Sequence, residues 1–138
     1  DRDIRRVDAF SAPARLKRAA EAHGAHARLA NRLNFVDLRR HLDAGGVAVA
    51  LHAASPTMPH YETIHGYAVG ADGTPWLWMS DMGRGESVCL RYEAFVAERW
   101  GRLRWYGLAT GFDRFAILLS RGPMAGGDSA PWTNPLLS

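Results

Sequence analysis

Apolar positions change period along the chain, and the change divides it into helical and extended stretches. Ser11-Ala12-Pro13 offers a hydroxyl cap followed by proline in a first helical turn, and Leu16, Ala19, Ala20 and His23 then recur at helical spacing up to Gly24. Ala25 to Ala30 alternates weakly, as a short edge strand does. Asn34 begins a second helix, with Asp37 in its first turn, Leu33 placed to staple against Leu38, and Gly45-Gly46 as its stop. From Val47 the period shortens: Val47–Leu51 is an apolar run between glycines and Ser55-Pro56, which predicts a buried strand. His60 to Val69 and Trp76 to Ser80 flank Gly70-Ala71-Asp72-Gly73-Thr74-Pro75, a turn cluster predicting an antiparallel hairpin. Cross-strand partners sum to about 143 when the turn is centred on Gly70–Gly73, which sets Asp81 opposite Glu62. Ser87–Arg91 reads as a strand, Tyr92 to Trp100 as a helix with an apolar face of Tyr92, Phe95, Val96 and Trp100, and Leu103–Tyr106 and Phe112–Leu119 as two more strands. Gly122 to Ser138 lacks periodicity and reads as an irregular tail.

The order is helix, helix, then antiparallel strands interrupted by one short helix, an α+β layout. At 138 residues, 47% hydrophobic and 22% charged, the chain has the length and balance of one globular domain, expected over residues 1–121. No apolar run approaches the roughly 20 residues of a membrane span, and no apolar h-region follows Asp1–Arg6, so a Sec signal is not visible. The net charge of +3 comes from 17 basic residues, 16 of them Arg, scattered against 14 acidic ones. That distribution argues against a nucleic-acid surface. The glycine pairs Gly70/Gly73 and Gly83/Gly85 sit between strands, where they make turns rather than phosphate loops. Cys89 is the one cysteine, so no internal disulfide forms.

Histidine and aspartate supply the candidate chemistry. His60 opens one strand of the hairpin and Asp81 closes the other, an arrangement by which a carboxylate orients an imidazole for base work on a thiol or hydroxyl. The alternative is a surface histidine beside a strand-terminal turn cap. His52, His60 and His65 invite a metal reading, but His60 and His65 are an odd number apart and face opposite ways on a regular strand. Without a third ligand at a zinc spacing, neither metal nor other cofactor is implied. Cys89 and Arg91 share a strand face away from Val88 and Leu90, where a thiol gains neither a helix N-terminus nor a dedicated cation, so Cys89 reads as structural. Trp76 and Trp78 share a face of their strand, as core packing or as an aromatic groove for an extended peptide.

The stretch HYETIHGY from His60 to Tyr67, the strand WMSD ending at Asp81 and the helix start Tyr92-Glu93-Ala94-Phe95, with Trp100-Gly101 after it, resemble the C-terminal half of papain-like cysteine peptidases of the bacteriocin-processing, double-glycine-leader type. The resemblance runs over roughly residues 14–119. It implies a papain-like fold with two N-terminal helices packed on an antiparallel sheet, a peptide or protein substrate, His60 as general base and Asp81 as its orienter. It also implies a nucleophilic cysteine on a helix about 80 residues before the histidine, with an oxyanion-hole glutamine. The chain contains no Gln, and counting back from His60 runs past Asp1. The nucleophile is therefore expected from an upstream segment or a second chain, or from Cys89 if the arrangement is permuted. The alternatives are an inactive peptide- or partner-binding module of the same fold and a toxin-type hydrolase domain.

Overall fold

The structure, a computed structural model, describes residues 13–55, 58–81 and 86–124. It is an α+β fold in which an open antiparallel sheet of six strands carries three helices among the described residues. Helix α1 spans 13–22 and ends at Gly24, whose φ of +90° suits a residue without Cβ. Strand β1 (His26–Ala30) follows, then α2 (Phe35–Asp43), β2 (Val47–Ser55), β3 (Met58–Val69), β4 (Pro75–Asp81) and β5 (Ser87–Arg91). Helix α3 (Tyr92–Phe95) runs directly into a π-helical turn, Val96–Trp100. A small separate hairpin, β6 (Arg104–Trp105) with β7 (Leu108–Ala109), precedes β8 (Ala116–Ser120). The sheet order is β1-β8-β2-β3-β4-β5, so the last strand is inserted between the first two.

Asn34 caps α2 as its sequence predicts: the side-chain Oδ1 accepts from the Asp37 N–H at 2.8 Å, and Leu33 and Leu38 are both buried in the same cluster. At the other end, His41 Nε2 lies 2.9 Å from the Val47 carbonyl and 3.0 Å from that of Leu119, tying the last helical turn to β2 and β8. A Cβ on Gly46 would lie 2.3 Å from this same ring nitrogen, which is why the residue after the helix stop is glycine.

Alternation sorts the sheet into two faces. One holds Ala48, Ala50, Ile64, Leu77, Met79, Ala116 and Leu118 and is covered by Leu38 of α2 with Phe95 and Trp100. The other holds Ala27, Leu51, Phe115 and Ile117, joined by Leu103, Phe112 and Ala20 of α1. The two N-terminal helices therefore contribute to different faces of the sheet.

Several boundaries depart from the sequence reading. β2 continues four residues past Leu51, because its pairing with β3 carries His52↔His60 and Ala53↔Pro59 and reaches Ser55↔Met58 past a bulge. The expected helix Tyr92–Trp100 is α-helical only to Phe95; beyond it the Gly101 N–H donates to the Val96 carbonyl at 2.8 Å, an i to i−5 bond that widens the turn. The strand expected over Leu103–Tyr106 shrinks to two residues, which turn back through Tyr106 and Gly107, both at positive φ. Of the expected tail, residues 125–138 lie outside the described residues. Among the described residues no helix is long and apolar enough to cross a membrane.

Candidate functional site

The extension of β2 builds the site. His52 lies on the face that carries Ala48 and Ala50, and β3 presents His60, Glu62 and Ile64 on that same face by the same alternation. Cross-strand pairing puts His52 directly opposite His60, with the ring centroids 5.3 Å apart and the planes near perpendicular. Glu62 reaches back along the strand so that its Oε1 stands 3.1 Å from His52 Nε2. One ligand-type atom from each of His52, His60 and Glu62 lies within 4.8 Å of the other two.

The environment is unequal. His52 is 1% exposed and Glu62 6%, whereas His60 is half-buried. Phe95 closes the inner side, with its ring 5.5 Å from that of His52, and the π-helical turn packs over this part of β2. Despite the short distance to Glu62, neither ring nitrogen of His52 has a hydrogen bond of acceptable geometry among the described residues. Native interiors rarely tolerate a buried imidazole in this condition, since an unpaired polar group costs about 1–3 kcal/mol.

Burial holds the His52 pKa below its usual 6.5; the Glu62 carboxylate and, more weakly, the Ala53 backbone pull it up, and His60 and Arg99 add to the lowering. A depressed pKa on a base means that the unfolded chain takes up a proton before the folded one. Stability of the domain should therefore be complete above about pH 6.5 and fall on acidification, by at most about 1.4 kcal/mol per pH unit, until folded His52 itself protonates. Urea midpoints between pH 7.5 and 5 check this, with His52→Leu expected to flatten the slope. A wild-type midpoint that rises on acidification contradicts it.

Asp81 ends β4 with its Cα opposite Glu62, in the register read from the hairpin. Its side chain lies outside the described atoms, so the His60–Asp81 pair is placed here by strand register alone. His65 is exposed, at an irregularity in the β3–β4 ladder between Ile64 and Gly66, and takes no part in the cluster. Cys89 is exposed and pairs with Trp78, while its neighbours Val88 and Leu90 pair with Met79 and Leu77 of the core face. Cys89 thus faces away from His60 across the sheet, which removes it as a partner for that histidine within one chain.

The tryptophans divide between packing and surface. Trp100 is wholly buried, whereas Trp78 is 43% exposed on the outer face of β4, and Arg91 lies over the Trp76 ring at 5.8 Å. Trp132 and the side chain of Trp105 lie outside the described atoms.

Sequence reasoning grouped His52 with His60 and His65 but missed Glu62, and the structure sets His52 opposite His60. The available signal was His60-x-Glu62, a strand spacing that keeps both side chains on one face, next to a strand that needed only one more residue to reach His52. Comparison of the chain with protein-family models, with curated proteins and with solved structures gives no match.

Proposed function

We propose that the chain is the histidine-bearing part of a papain-like thiol hydrolase acting on peptide or isopeptide bonds, with its nucleophilic cysteine supplied from outside residues 1–138. The observation that supports this reading is the register Glu62↔Asp81, which sets the end of β4 beside β3 two residues from His60. In this role half-buried His60 accepts the thiol proton as the thiolate attacks the carbonyl carbon, then returns it to the leaving amine. Asp81 orients the ring and stabilises its charged form. A water molecule then releases the acyl group from the cysteine.

A reading as a peptide-binding module without catalysis draws on one observation, the exposed Trp78 on a face of the sheet away from the histidines.

The test uses the complete encoded polypeptide and limiting iodoacetamide at neutral pH. One cysteine outside this chain should alkylate fast, and His60→Ala should slow it by about 100-fold or more, the scale of a lost general base. Alkylation of every cysteine at a rate indifferent to His60 overturns the hydrolase reading in favour of the binding module.

A further inference from the structure

We propose that His52, His60 and Glu62 form a binding site for one divalent transition-metal ion of the zinc class. Two imidazoles and one carboxylate are the donor set that zinc, cobalt and nickel take readily; calcium and magnesium, which want oxygen ligands throughout, are poorly served by it. The geometry is close to what such an ion needs. The 3.1 Å between His52 Nε2 and Glu62 Oε1 is near the edge of a tetrahedron about its metal, roughly 3.3–3.5 Å for bonds of about 2.0–2.2 Å. The third donor, from His60, is already within 4.8 Å of both.

A second and independent observation points to a ligand. His52 is 1% exposed, and both its ring nitrogens lack a hydrogen-bond partner among the described residues. A metal bond to one nitrogen would satisfy a buried polar group that has no hydrogen-bond partner among the described residues. The cost of burying the ring is then part of building the site. Glu62 brings the negative charge that offsets part of the cation's own, in a wall closed by Phe95. Three protein ligands leave a fourth position, and half-buried His60 marks the side from which water or a substrate oxygen would fill it.

The site stands whether or not the chain is a hydrolase. One consequence does rest on that reading: an ion held by His60 occupies the lone pair that base work needs, so the loaded domain would be the inactive one.

The test is a titration of the chelator-stripped chain with zinc against a competing chromophoric chelator, with cobalt as a spectroscopic probe. One equivalent should bind, and the cobalt form should show visible d–d bands without the near-ultraviolet band of a thiolate ligand. Cys89→Ser and His65→Ala should leave affinity unchanged. His60→Ala and Glu62→Gln should each weaken it by about 100-fold or more, since even the supporting partners of a metal ligand are worth about 10–100-fold. His60 is half-buried, so His60→Ala is the variant least exposed to a folding defect, and far-ultraviolet circular dichroism checks that it folds. If it does not, the cobalt spectrum and the Cys89→Ser result decide the matter on the parent fold. No saturable binding, binding indifferent to His60 and Glu62, or a thiolate band lost in Cys89→Ser overturns the site. Because nothing here reads turnover, a silent alkylation experiment and a failed titration remain separate results.

Discussion

Replacing Trp100 by alanine should cost about 3–5 kcal/mol, the range for removing a large buried aromatic side chain. At about 3–5 °C per kcal/mol for a domain of this size, the melting temperature should drop by roughly 10–20 °C. The side chain is wholly buried, and its Nε1–H donates to the Phe115 carbonyl at 2.8 Å. Its ring packs 5.5 Å from that of Phe95 and 6.4 Å from that of Tyr92. Truncation empties a cavity between the π-helical turn and the sheet and leaves that carbonyl without its donor. Trp100→Phe keeps most of the packing and isolates the lost hydrogen bond, at about 1–3 kcal/mol. Urea unfolding of the three proteins separates the two contributions. A loss below about 1 kcal/mol for the alanine variant would show that this turn stands outside the cooperative core.

The opposite sign is expected for His52→Leu combined with Glu62→Leu. Assayed with chelator at pH 7.5, the double variant should be more stable than the parent by about 1–4 kcal/mol, as when a buried polar pair gives way to well-packed apolar side chains. The pair as it stands is poorly compensated: a neutral His52 lends the Glu62 carboxylate no opposing charge, and their 3.1 Å approach is not an aligned hydrogen bond. Each single substitution strands the other polar group and should stabilise less, or destabilise. Removing both also removes two of the three proposed metal ligands, so added zinc should stabilise the parent and leave the double variant unchanged. A double variant less stable than the parent would mean that the pair supports the fold.

Local signals carried much of the architecture. Asn34 and Asp37 mark the start of α2 because a cap is a contact between neighbours in sequence, and the Gly70–Gly73 turn set the β3–β4 register that pairs Glu62 with Asp81. The end of β2 was harder to read, since Ala53, Ala54 and Ser55 have little strand preference of their own. They are extended because β3 pairs with them, a tertiary cause that a window on the chain does not contain, and the position of His52 opposite His60 depends on it. The π-helical turn escaped for a related reason. Tyr92, Phe95, Val96 and Trp100 fit a single helix, and the extra residue shows only in the bond from Gly101 to Val96. Tyr106 at φ +51° hid the β6–β7 hairpin, because a tyrosine is not the residue that signals such a turn.

The insertion of β8 between β1 and β2 also sets an order of events during synthesis. The meander from β2 to β5 pairs neighbours in sequence and can zip up while the part of the chain that follows it is still in the ribosome. Its first hairpin brings His52, His60 and Glu62 together. β1, though made earlier, has no neighbour in the sheet except β8, whose residues 116–120 come some 90 positions later. A nascent chain would therefore hold its histidine cluster in place before β1 had anywhere to dock, and that strand would wait for β8.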